Sequence, residues 1–207
     1  MTIRVLLATR STGKLRELRA LLRDAGVNAL DLTEAGIAET AIEDALETES
    51  TFEANALAKA RHFHRVSRMP TLADDSGLEV AALGGEPGVR SKRWSGRTDR
   101  AGQALDDENN RLLLSRLEGK SDRSATYVCA TALCDGAREI VERGETAGVI
   151  AERPSGAGGF GYDPYFVSSE LRRTFGEVSM EEKARVSHRA RAFAKLLRHM
   201  EESRPTR

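Results

Sequence analysis

Seven residues, Gly158-Gly159-Phe160-Gly161-Tyr162-Asp163-Pro164, constrain this chain more than any other stretch. Three glycines and a proline bar a regular helix there, and the proline also bars an inner strand. What remains is a loop of defined shape. Its glycines let backbone approach a ligand or adopt positive φ, Phe160 and Tyr162 offer flat faces, and Asp163 offers acceptors. The combination suits a planar, polar ring such as a nucleobase. A tight turn between strands, plugged by aromatics, uses the same residues.

The segments around this loop predict a mixed fold. Residues 3–8 read as a buried strand, followed by the polar loop Thr9-Arg10-Ser11-Thr12-Gly13-Lys14. Leu15, Leu18, Leu21 and Leu22 then recur at helical spacing up to Gly26, which suits the left-handed residue after a helix. Strand, Gly-Lys loop and helix can gather amides and a lysine on an anion, although a plain strand-to-helix turn looks the same. It is not a P-loop, since Leu15 stands where Ser or Thr would follow the lysine. Residues 31–50 are acidic and aperiodic and read as a loop or irregular edge.

Ser50-Thr51-Phe52-Glu53 has capping-box spacing and predicts a helix to about Arg65, with Phe52, Ala56, Ala60 and Phe63 inward and Asn55 and Lys59 side by side. Residues 70–73 read as a short strand ending in Asp74-Asp75-Ser76-Gly77. Carboxylates at the end of an apolar strand suit a metal ligand or general base, and equally an Asx turn. Adjacent strand residues point oppositely, so at most one of the two aspartates faces a given site. Residues 83–98 read as a glycine-rich loop with Trp94, the only tryptophan. Residues 101–117 read as a helix and 125–134 as a central strand. Residues 138–142 and 147–151 read as two further strands around a glycine turn, and 165–167 as one more. Ser179-Met180-Glu181-Glu182 is a second capping box, opening a last helix that carries Lys183, Ser187, His188 and Arg189.

Charge and cysteine content exclude some function classes. Lys+Arg and Asp+Glu each number 32, so the net charge is zero, which argues against a nucleic-acid partner held by a broad basic field. The apolar run Val5-Leu6-Leu7-Ala8 is too short for a signal segment or a membrane span. Cys129 and Cys134, five apart on one expected strand, face opposite ways and should not pair, which fits a reducing cytoplasm. Only six of the basic residues are lysines, and three of them, Lys14, Lys59 and Lys183, fall in the segments singled out above.

These pieces occur together, in this order, in one known family. Ala8 to Lys14, Thr51-Phe52-Glu53-Ala54-Asn55-Ala56 through Lys59-Ala60, Ala73 to Leu78, Gly84 to Val89, Gly158 to Pro164, and Glu182-Lys183 with Ser187-His188-Arg189 resemble the inosine triphosphate pyrophosphatase family. The resemblance spans residues 3–198. It implies an α/β fold: an elongated mixed β-sheet flanked by helices, with two lobes and a central nucleotide-binding cleft. It implies one domain over residues 1–207 and a homodimer. The implied reaction is Mg²⁺-dependent hydrolysis of ITP, dITP and XTP to monophosphate and pyrophosphate.

The resemblance also implies roles. Asp75 is the metal-linked general base, with Glu47 as a second metal ligand. Lys14 and Lys59 hold the triphosphate, Lys59 at the reacting centre, and Thr9, Arg10, Ser11, Thr12, Gly13, Asn55 and Ser76 lie beside them. Phe160 stacks on the base, supported by Gly161, Tyr162 and Asp163, and Lys183, His188 and Arg189 read the purine 6-keto edge. Donors aimed at that oxygen accept hypoxanthine and xanthine and are left unpaired by adenine, which is a costly mismatch. Two positions depart from the pattern: Ser11 stands where the family usually has Asn, and Ala54 where it often has Glu. Those departures motivate one rival expectation, a nucleotide-binding regulator without turnover; a second rival is an enzyme of the same general type acting on modified pyrimidines or other unusual nucleotides.

Overall fold

The computed structural model describes residues 4–202, so Ile3 of the expected first strand lies outside the described residues. In chain order the elements are β1 (Arg4–Leu7), α1 (Thr12–Asp24), β2 (Asn28–Asp31), α2 (Ile42–Ala45), α3 (Phe52–Ser67), β3 (Thr71–Val80), α4 (Gly102–Arg116), β4 (Ser124–Cys134), β5 (Glu139–Ile150), β6 (Phe166–Ser168), α5 (Met180–Val186) and α6 (His188–Glu202), with 3-10 turns at Ala81–Leu83 and Gly88–Arg93. One six-stranded sheet runs in the order β2-β1-β3-β4-β5-β6. β1 is parallel to β2 and β3, whereas β5 and β6 are antiparallel, so the fold is mixed α/β as expected.

The chain divides into two compact units. The first holds residues up to Asp75, Cys129–Gly144 and Arg189 onward; the second holds Ser76–Val128 and Glu145–His188. β3, β4 and β5 each contribute part of their length to each unit. Each unit has its own apolar core. In the first, Val5, Leu7, Leu18, Leu22, Leu72, Leu133, Phe193 and Leu196 are buried together. In the second, Leu78, Val80, Leu113, Tyr127, Tyr162, Phe166 and Phe175 are, with Trp94 packed against them.

Local chemistry explains the helix ends. Ser11 caps α1 with its hydroxyl accepting from the Lys14 amide, and Gly26 follows the helix at φ +67°. Ser179 and Glu182 form the capping box of α5. α3 begins differently from the sequence expectation: Thr51 caps it by accepting from the Ala54 amide, so Ser50 and Glu53 do not form a capping box. Glu53 instead pairs with Arg143 at 2.9 Å.

Four further expectations are corrected. Asp-Asp-Ser-Gly does not end a strand: β3 continues to Val80, with β1 paired to its start at Thr71 and Leu72 and β4 its neighbour on the other side in the sheet order. The two strands expected over residues 138–142 and 147–151 are one strand, β5 (Glu139–Ile150). Gly148 breaks nothing there: a Cβ would run into the Val167 carbonyl and the Phe166 ring, so the glycine lets β6 approach closely. Residues 83–98 contain a 3-10 turn rather than a plain loop. The last helix is divided at Ser187, whose backbone is extended at ψ 147°. Cys129 and Cys134 are buried free thiols, as their spacing predicted.

Candidate functional site

In the first unit, two buried clusters form around the adjacent aspartates of β3. Asp74 is fully buried, and its Oδ2 lies 3.1 Å from Lys14 Nζ at the start of α1 and 3.2 Å from Arg189 Nε in the first turn of α6. Arg189 also pairs with Glu17 of α1. Burial pushes the Asp74 carboxyl up, but the opposing field of Lys14, Arg189 and Lys59 outweighs it and holds the group well below the usual carboxylate range. This cluster fastens the Gly-Lys loop to the sheet.

Asp75 points the other way, as strand alternation requires. Its Oδ2 accepts from Asn55 Nδ2 at 2.9 Å, and Asn55 Oδ1 accepts from the Glu49 amide at 2.9 Å. Lys59, one turn on along α3, donates to Glu47 Oε1 at 2.7 Å and to the Asp74 carbonyl at 2.5 Å, with Asp75 Oδ1 at 3.9 Å. Burial opposes the Lys59 charge, yet the surrounding Glu47, Asp75 and Asp74 raise its pKa. The Asp75 carboxyl is also raised. Burial dominates there because Lys59 makes its short contact with Glu47 and only a long one with Asp75. A buried carboxylate with raised proton affinity beside a lysine suits a general base near an anion.

The other residues expected around the phosphates are placed as follows. Thr9 Oγ1 accepts from the Ser11 amide at 3.2 Å. Arg10 donates to both oxygens of Glu43 and to the Ile37 carbonyl, bracing the acidic loop. Thr12 and Gly13 form the first turn of α1. Ser76 follows Asp75 on β3 and belongs to the second unit.

In the second unit the glycine loop closes around Asp163. Asp163 Oδ2 accepts from the Phe160 amide at 2.9 Å and from Lys183 Nζ at 2.5 Å, and Oδ1 accepts from Tyr127 OH at 3.3 Å. Lys183 Nζ also stands 5.1 Å from the centre of the Phe160 ring and 5.2 Å from that of Phe175. His188 is buried and stacked on Tyr127, with ring centres 4.6 Å apart and planes 7° from parallel. Tyr162 is buried and donates to the Ser91 carbonyl at 2.8 Å. Only Phe160 among the loop aromatics keeps a part-exposed face.

The expected edge-reading group is therefore divided between the units. Lys183 and His188 lie with the glycine loop in the second, while the Arg189 guanidinium makes its ion pairs in the first. Sequence reasoning missed Glu17, Tyr127, Asp106 and Asn110. Glu17 stands three residues after Lys14 on one helix face, and Asp106 and Asn110 are one turn apart on α4, so each left a weak periodic signal. Tyr127, inside an apolar strand, left none.

The lysine–carboxylate cluster thus lies in one unit of this mixed α/β fold and the aromatic loop, pinned by Lys183 and Asp163, in the other. The chain belongs to the Ham1 family, whose model matches residues 5–199. It is 48% identical over 199 residues to the dITP/XTP pyrophosphatase of Mycobacterium tuberculosis, covering 95% of each chain. Among solved structures it is similar to a HAM1 protein from Coxiella burnetii, at TM-score 0.82 and 37% identity over 98% of this chain and 100% of that one. It is also similar to a nucleoside-triphosphatase / dITP/XTP pyrophosphatase from Mycobacterium abscessus, at TM-score 0.71 and 42% identity, covering 94% of this chain and 99% of that one.

Proposed function

We propose that this chain hydrolyses dITP, ITP and XTP to the monophosphate and pyrophosphate, clearing deaminated purines from the nucleotide pool. The observation that carries the reading is the Asp75 group. A buried carboxylate, oriented by Asn55 and left with raised proton affinity, stands beside a lysine that already bridges Glu47 and the Asp74 carbonyl. Asp75 would orient the attacking water and take its proton. Lys59 and Lys14 would meet phosphate oxygens, each exchanging part of its present carboxylate contact for the substrate. The names of the related enzymes support dITP and XTP as substrates.

The residues proposed to meet the ring are those of the glycine loop and its partners. Phe160 would stack on the purine, and Lys183 and His188 would direct donors at its 6-keto oxygen. Asp163 positions both Phe160 and Lys183 through its paired contacts.

Mg²⁺ is part of this reading. Among the described residues no group of three or more His, Cys, Asp or Glu side chains forms a metal cage. Asp75 and Glu47, both in contact with Lys59, make a two-carboxylate set instead. That set fits Mg²⁺, which takes one or two carboxylates and completes its shell with water and substrate phosphates. Bound there, the ion would offset the roughly four negative charges of a triphosphate. The same reading includes a homodimer and a reducing cytoplasm, the latter supported by the two buried free thiols.

Pyrophosphate release from ITP, XTP, ATP and GTP, each with Mg²⁺ and with chelator, tests the proposal. Rapid release from ITP and XTP, lost on chelation, is the expected result. No release from either would overturn it. Light scattering in solution tests the dimer.

A further inference from the structure

We infer that helix α4 sets the shape of the base loop: Asp106 and Asn110 position Gly161, and through it Phe160 and Asp163. The Gly161 amide donates to Asp106 Oδ2 at 2.8 Å, and Asn110 Nδ2 donates to the Gly161 carbonyl at 2.9 Å. Those two backbone groups lie on opposite sides of the Gly161 α-carbon, so holding both fixes φ and ψ there. The inference rests on the reading that the loop receives the purine.

Gly161 needs such a hold. It sits at φ +62°, and a Cβ on it would meet nothing within 4 Å, so no crowding neighbour requires a glycine there. Glycine visits both signs of φ freely, and the two hydrogen bonds select one. Its neighbours are the residues proposed to face the ring. Phe160 precedes it and donates its amide to Asp163; Tyr162 follows and is tied to Ser91. A turn at Gly161 would carry the Phe160 ring away from Lys183.

Asn110 shows the same priority. It is buried, and its nitrogen must face the Gly161 carbonyl, since the flipped amide would set oxygen against oxygen. Its Oδ1 is buried with no hydrogen-bond partner among the described residues. A half-satisfied buried amide is a poor choice for helix packing alone, and its donated bond to the loop accounts for it. The neighbouring Asn109 does the same for the backbone around Trp94, accepting from the Ser95 amide at 2.8 Å and donating to the Lys92 carbonyl at 3.0 Å. One face of α4 thus holds backbone on both sides of Trp94 and at the base loop.

The test compares Asp106→Leu, Asp106→Asn and Asn110→Asp in the full chain. Two quantities are read: amide hydrogen exchange of residues 158–163 without substrate, and steady-state kinetics with ITP and ATP. Asn110→Asp keeps the volume but sets a carboxylate against the carbonyl, so it decides the matter if Asp106→Leu does not fold. Losing either bond should speed loop exchange and raise KM for ITP by about tenfold or more, with kcat within about threefold and weaker preference over ATP. Asp106→Asn, whose amide oxygen still accepts, should recover most of both. Exchange and KM within about twofold of the unaltered chain in Asn110→Asp, or a loss of kcat at unchanged KM, would overturn the inference. Exchange needs no turnover, so an unaltered chain that leaves ITP intact would overturn the proposed function without deciding the role of α4.

Discussion

Replacing Asp74 by Asn should cost this protein much of its stability, although Asn is nearly the same size. Asp74 Oδ2 holds Lys14 Nζ at 3.1 Å and Arg189 Nε at 3.2 Å, and its side chain is wholly buried. At an effective dielectric of about 20, each contact corresponds to about 5 kcal/mol of direct attraction before the cost of desolvation. Removing one member of a buried ion pair costs about 3–5 kcal/mol, because the partner charge stays buried. Arg189 keeps Glu17, so the lower end, about 3 kcal/mol, is expected. With a urea dependence of about 2 kcal/mol per molar, the unfolding midpoint should fall by about 1.5 M.

The pH dependence supplies a second check. The folded pKa of Asp74 is depressed, so its stabilisation is present above the unfolded value and is lost as pH falls through the folded one. The gap between parent and Asp74→Asn should therefore persist from neutral pH down to the ordinary carboxylate value of 3.8 and close only below it. A midpoint shift under about 0.3 M, or a gap that closes by about pH 5, would refute the reasoning.

Asp75→Asn should lower kcat for ITP by about a hundredfold or more, since an amide cannot take the proton, and calorimetry should show a Tm no lower than the parent's because burial already disfavours the Asp75 charge. Without Mg²⁺, the Asp75 carboxyl should titrate above the ordinary value of 3.8, because burial outweighs the pull of Lys59; carbon-13 NMR of the parent against Asp75→Asn showing titration at or below that value counts against the raised proton affinity. Gly159→Ala should raise KM for ITP by about tenfold with a smaller effect on kcat, since Gly159 sits at φ +74° and a Cβ would collide with the Asp163 carboxylate; unchanged steady-state kinetics would show that the loop adapts.

Much of the fold was legible because local rules and tertiary packing agree. Leucine spacing and Gly26 marked α1, the Ser179–Glu182 box marked α5, and apolar β-rich residues marked β4. The misreadings arose where sheet neighbours overrode local signals. Asp74-Asp75-Ser76-Gly77 looks like a turn but stays extended within β3, whose sheet neighbour past the last β1 pair at Leu72 is β4. Gly148 looks like a break but gives room to Phe166. Ser50 has the spacing of a cap but yields to Thr51, because Glu53 is drawn to Arg143, 90 residues away.

The candidate site divides along the same line. The sequence by itself determined which chemistries are present: a Gly-Lys loop before a helix, an Asn-Lys pair on one helix face, paired aspartates on an apolar strand and a glycine-aromatic loop. Composition and short spacings carry that information, since they act within one or two turns of chain. Only the tertiary structure decided which partner each charge meets. It gave Asp74 to Lys14 and Arg189, Asp75 to Asn55, Lys59 to Glu47, and Asp163 to Lys183 and Tyr127. It also brought Asp106 and Asn110 to Gly161 across more than fifty residues. Such pairings follow from burial, where an unmatched charge or amide costs more than any local preference supplies, and burial is fixed only when distant segments pack.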